Sequence, residues 1–258
     1  MGCRRIGVSW LGLLAGVLWV GATACAQGPA GPSWETVPVP LEQLPYPVAE
    51  QVRLVLEHPT FHATGPAESF LCNPQYYHWF LEHPDRAVVA WRRLGAKCID
   101  IQDRGNGRFG WSDTLGSDVS WTTVYRDAAM RVWYAEGSVR AGKMLPLLPV
   151  RAVVVLRYAA LTDPSGQPFV RHEAELALHT DSKTAALVAR LVGASAPHLG
   201  QQYVAQLEMF YSALAWYLGQ HPGQAEALLS AAAGPEPAPP AYQPQLNPPP
   251  RYRWDGND

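Results

Sequence analysis

The spacing of apolar residues changes several times along the chain, and each change marks a different element. Residues 6–20 are a nearly continuous run of apolar and small residues. Prolines and glycines then dominate residues 27–47, a composition that excludes a helix interior or a central strand. Within residues 48–57 the apolar positions Val48, Val52, Val55 and Leu56 recur every three or four residues, which predicts a short helix ending before Pro59. Residues 60–72 read as a strand interrupted at Gly65-Pro66. Asn73 followed by Pro74 is an N-cap with proline at the first helical position. It opens a helix over 74–82 that carries Tyr77, Phe80 and Leu81. His83-Pro84 breaks that helix, and a second runs over 84–94 with Val88, Val89, Trp91 and Leu94.

From Lys97 the period shortens to two. Residues 97–103 place Ile99 and Ile101 on one face, and Gly105-Asn106-Gly107 is a turn. Residues 108–113 set Phe109 and Trp111 together, and Gly116-Ser117-Asp118 turns the chain again. Residues 119–126 put Val119, Trp121, Thr123 and Tyr125 on one face, and 129–139 alternate Trp133 against Tyr134. Residues 146–160 contain a run from Ala152 to Leu156 that suits a strand buried on both faces. The last strand, 169–180, separates Val170, His172, Ala174, Leu176 and Leu178 from Arg171, Glu173, Glu175 and His179. Helical spacing then returns over 182–192 and again over 198–221. In the longer segment Leu199, Tyr203, Leu207, Phe210, Leu214 and Tyr217 form a stripe that must meet an apolar surface, whereas Glu208 falls off it.

Hairpin-linked strands followed by one long amphipathic helix predict an α+β fold. The expected architecture is a curved antiparallel sheet of about seven strands wrapped around the C-terminal helix, with two short helices between strands 1 and 2. This element order, over residues 60–220, resembles the START-like helix-grip (SRPBCC) superfamily. The resemblance implies a lipid, sterol or other apolar molecule held between sheet and helix, and some similar proteins are cyclases or hydratases. It carries over no catalytic residue, because no motif of that kind is matched here.

Composition bounds the function further. The net charge of −2 and the absence of a basic cluster exclude nucleic acid as the expected partner. The N-terminus has a positive start at Arg4-Arg5, the apolar run, and the small-residue site Ala24-Cys25-Ala26. Residues 1–26 therefore read as a signal peptide, and the protein as exported: periplasmic, secreted, or held at the envelope. Ala22-Thr23-Ala24-Cys25 is also a lipoprotein-type box, so Cys25 is either removed with the signal or lipidated as a membrane tether. The expected organisation is a signal over 1–26, a linker over 27–47, one domain over 48–232 and a proline-rich, disordered tail over 233–258. The tail ends in a basic-aromatic segment, Arg251 to Trp254, suited to a protein partner. Once the signal is removed Cys72 and Cys98 remain, as a disulfide or as two buried thiols.

Candidate chemistry is sparse. His58 and His62 are separated by Pro59, His78 and His83 straddle a helix end, and neither pair has zinc-ligand spacing. No metal or cofactor is expected, and no nucleophile elbow occurs. The aromatic set Trp111, Trp121, Tyr125, Trp133 and Phe210 is the candidate lining of an apolar pocket, or else the filling of a core. His172 would be a polar contact inside that pocket, or a core histidine bonded to a neighbour. Arg157, beside the apolar strand, would receive an anionic head group or pair with Glu173 or Glu175. Three functions remain in play: a binding domain for an apolar or amphiphilic small molecule, an envelope interaction domain with a filled core, and an enzyme on the same scaffold.

Overall fold

A computed structural model describes residues 38–140, 143, 146–180 and 196–233. The expected signal segment with Cys25, the helix over 182–192 and the proline-rich tail lie outside the described residues.

The alternating segments form eight antiparallel strands: β1 (Phe61–Thr64), β2 (Glu68–Leu71), β3 (Gln102–Asp103), β4 (Arg108–Ser112), β5 (Asp118–Arg126), β6 (Met130–Val139), β7 (Leu148–Thr162) and β8 (Pro168–His179). They make one sheet in the order β1-β8-β7-β6-β5-β4-β3, with β2 also paired to β8. The break at Gly65-Pro66 is real. Thr64 pairs with Glu175 and Glu68 with His172, so three residues of the edge oppose two of β8. Proline has no N–H for the ladder, and the extra residue forces the bulge. At the other edge, the expected strand over 97–103 shrinks to β3. Arg92 explains this by bonding Asp100 (2.8 Å) and the Cys98 carbonyl (3.1 Å), which holds the preceding segment outside the sheet. In the turn between β3 and β4, Gly105, Asn106 and Gly107 all have positive φ, the conformation that selects glycine and asparagine.

Five helices are described: α1 (Tyr46–Glu57), α2 (Pro74–Glu82), α3 (Pro84–Arg93), α4 (Ala196–Gln220) and α5 (Pro222–Ala233). Asn73 caps α2 by accepting from the Gln75 N–H at 2.9 Å. Hydrophobic spacing had not indicated α5, which is rich in alanine and follows α4 after one residue. No helix among the described residues is long and apolar enough to cross a membrane.

Both faces of the sheet are covered. On one, Ala49, Val52 and Val55 of α1 pack with Val132, Tyr134, Val153, Val155 and Ala177. The end of the expected linker belongs to this layer, since a 3-10 turn at Leu41–Gln43 delivers a buried Leu44. On the opposite face α4 lies against β1, β2 and β8, with α2, α3 and α5 beside it. Tyr211 of α4 reaches β6, where its ring stacks on Trp133 at 6.2 Å. The space beneath α4 is filled by Tyr77, Phe80, Leu156, Tyr158, Val170, Leu214 and Leu218, all nearly inaccessible to solvent.

The stripe of α4 differs from the expected one. Gly200, Val204, Glu208, Tyr211, Ser212, Leu214, Ala215 and Leu218 are buried, whereas Tyr203, Leu207, Phe210 and Tyr217 are only half-buried. The helix is rotated toward small and polar residues that sit close to the sheet. Glu208, expected on the outer face, is 1% exposed. An apolar stripe misses it because the buried face of this helix is partly polar.

Candidate functional site

Strand register decides which of the expected pocket residues meet. Trp111 pairs with Val119, Phe109 with Trp121, Trp121 with Ala135, and Thr123 with Trp133. Paired residues share a face, so Phe109, Trp111, Trp121, Thr123 and Trp133 all lie on the α4 side. Tyr125 does not. The register shifts between Thr123 and Tyr125, Tyr125 pairs with Val132, and its ring packs with the α1 layer. A bulge adds one residue and so reverses the face of every residue after it. The Tyr125 hydroxyl donates to Asp127 at 2.8 Å.

Arg157 also lies on the α1 side, opposite His172 and the tryptophans, and bonds Glu175 at 3.0 Å. That corrects its expected role as a head-group contact and matches the ion-pair alternative. Phe210 is half-buried against Trp91, whose indole N–H donates to the Phe210 carbonyl at 2.8 Å.

His172 is fully buried on the α4 side. Its Nδ1 lies 2.8 Å from the Tyr77 hydroxyl, and its ring meets those of Phe70 and Tyr77 edge-on. It is thus a core histidine bonded to a neighbouring side chain. Its Nε2 has no hydrogen bond and lies 3.7 Å from Glu68. Burial pushes the Tyr77 hydroxyl well above its ordinary range, so it stays protonated and able to donate.

Of the two alternatives for the remaining cysteines, the structure has the thiols. Cys72 and Cys98 are both free, Cys72 being buried beneath α4 and Cys98 half-buried on the segment held by Arg92. Burial pushes the Cys72 thiol up to about 12.

An open cleft of about 540 Å³ lies where the α2–α3 corner faces the β4–β5 hairpin. Phe109, Thr122, Thr123 and Val124 line its sheet side, and Glu82, His83, Asp85 and Arg86 its helix side. Arg126 and Asp103 complete the rim. The charges are arranged in pairs. Glu82 bridges Arg126 (2.7 Å) and the buried Arg131, which also donates to the Leu81 carbonyl at 2.7 Å. Burial alone would raise the Glu82 carboxyl, but the two guanidiniums hold it below its ordinary value. Asp85 faces Arg86 at 3.2 Å, yet burial dominates there and raises its carboxyl. Phe109 links the cleft to the aromatic row, its ring 6.2 Å from that of Trp121.

The sequence placed Phe109 beside Trp111 without marking it as a site residue. The acidic and basic rim was not anticipated at all, because three distant segments supply it. Among the described residues no group of three or more His, Cys, Asp or Glu side chains is placed to hold a metal ion.

No protein-family model matches the chain, and no curated protein matches it by sequence. Its structure is similar to that of a conserved protein from Geobacillus kaustophilus, at 12% identity and a TM-score of 0.39 over 60% of this chain and 95% of that one. A hypothetical protein from Helicobacter pylori is similar at 12% identity and a TM-score of 0.40, over 72% of this chain and 99% of that one. The di-domain ARO/CYC BexL from the BE-7585A biosynthetic pathway is similar at 14% identity and a TM-score of 0.35, over 63% of this chain and 52% of that longer one.

Proposed function

We propose that the protein is an exported domain that binds an amphiphilic small molecule in the cleft between the α2–α3 corner and the β4–β5 hairpin. One observation carries this reading: a cleft of about 540 Å³ that sets Phe109 and Thr123 of the sheet against a largely polar, charged rim. That volume lies in the range of small-molecule sites. The apolar part of a ligand would rest on Phe109 toward Trp121, and its polar part would meet Arg86, Arg126 or the acids beside them. Export is supported by the charged start, apolar run and small-residue site of residues 1–26.

The test is fluorescence titration with 1-anilinonaphthalene-8-sulfonate, an anionic amphiphile, together with solvent extraction of protein purified from its native host and mass spectrometry of the extract. Saturable binding, weakened at least about tenfold by Phe109→Ala, is the expected outcome. Binding indifferent to that change, together with an empty extract, would refute the reading. A second reading, an interaction domain with a filled core, is favoured by the close packing of Tyr77, Tyr211, Leu214 and Leu218 beneath α4. It expects no small molecule in the extract.

A further inference from the structure

Glu208 stands in the middle of α4 with its carboxyl directed into the break of the edge strand. Gly65, at that break, donates its N–H to the Ala174 carbonyl at 2.9 Å. The Ala174 N–H donates instead to Glu208 Oε1 at 2.5 Å. The helix side chain therefore fills the place in the ladder that the bulge at Gly65-Pro66 leaves open. A Cβ on residue 65 would come within 2.2 Å of Glu208 Oε2, so only glycine leaves room for the carboxyl. Oε2 has no hydrogen-bond partner.

The surroundings favour the neutral acid. Glu68 of β2 shares the α4 face with the carboxyl, and Glu173 of β8, turned to the opposite face of the sheet, adds a second like charge nearby. His172 lies two residues before Ala174 on the same face of β8 but is bonded to Tyr77 of α2. His62 of β1 turns to Glu175 on the other face. No arginine or lysine among the described residues pairs with Glu208. Burial and the two acids raise its carboxyl to about 8, against the opposing pull of the Ala174 N–H.

We propose that Glu208 is a protonated latch: as a neutral acid it fastens α4 to the interrupted β1–β2 edge of the sheet, and its ionisation at alkaline pH loosens that attachment. The sign follows from linkage. The folded state keeps a proton that the unfolded chain releases near pH 4.5, so rising pH draws the equilibrium toward the unfolded state. The folding constant should fall by up to about tenfold per pH unit between the unfolded and folded titrations, and level off above them.

Two measurements on the whole protein test this. The first is the carbon-13 titration of the Glu208 carboxyl, assigned through the backbone. The second is hydrogen exchange of the Ala174 amide and of β1 and β2, from pH 6 to about 9, in wild type and E208Q. The latch predicts a titration midpoint well above the usual carboxylate range. It also predicts protection that falls with pH in wild type by at least about tenfold more than in E208Q. A midpoint near that of ordinary glutamates overturns the proposal, and so do protection factors that run parallel in the two proteins. Should E208Q not fold, the wild-type titration still decides.

Discussion

Truncating Leu214 tests the orientation of α4 directly. Its side chain is 0% exposed and belongs to the cluster that includes Tyr77, Phe80 and Leu218. Leu→Ala at such a site loses the transfer energy of the removed carbons and leaves a cavity, for a total of roughly 3–5 kcal/mol. Surrounding rings relax poorly, which favours the upper part of that range. Trp216, two residues further on, is 45% exposed on the outer side of the same helix. Trp216→Ala removes a larger side chain but should cost only about 1 kcal/mol, because nearly half of it stays in water and its removal leaves an open surface site in place of a closed cavity. Phe210→Ala should fall between, at roughly 1–2 kcal/mol, since that ring is only half-buried against Trp91 and Tyr211. Urea unfolding followed by far-ultraviolet circular dichroism gives the three values, with equal m values confirming that the unfolded states are comparable. The order Leu214, Phe210, Trp216 is expected. A Leu214 loss below about 1 kcal/mol, or a Trp216 loss equal to it, would show that α4 does not present this face to the sheet.

Three further outcomes are expected. Gly65→Ala should destabilise by roughly 1–3 kcal/mol, because the added methyl meets Glu208 Oε2 and, at 2.8 Å, Val204; in thermal melts the loss should shrink when combined with Glu208→Ala. Tyr77→Phe should cost about 1–3 kcal/mol by leaving His172 Nδ1 without its partner in the core, and urea unfolding would contradict that bond if the variant matched wild type. In a protein carrying C3S and C25S, a disulfide-exchange reagent should modify Cys98 in the folded state and reach Cys72 only on unfolding, since Cys72 is buried and its thiol is held protonated; a chain with no reactive thiol after unfolding would restore the disulfide.

The chain's local chemistry determined much of the fold. Period-two alternation with glycine turns specified the hairpins from β4 to β8, because adjacent strands joined by tight turns have few other ways to pair. Asn73-Pro74 and His83-Pro84 set the starts of α2 and α3 through backbone effects that need no distant partner. The long helix after β8 was equally legible from its length and spacing. Tertiary structure decided what depends on register and rotation. One extra residue in β5 moved Tyr125 out of the aromatic set, and periodicity alone cannot reveal a bulge. Arg157 found Glu175 on the α1 face because pairing across strands sets its neighbours. The cleft rim draws on the α2–α3 corner, the β3–β4 turn and β5, segments that only the folded chain brings together. Glu208 shows the limit most clearly: hydrophobic pattern places a carboxylate in water, and only an unpaired N–H on β8, left by a bulge more than a hundred residues earlier in the chain, explains why it is buried.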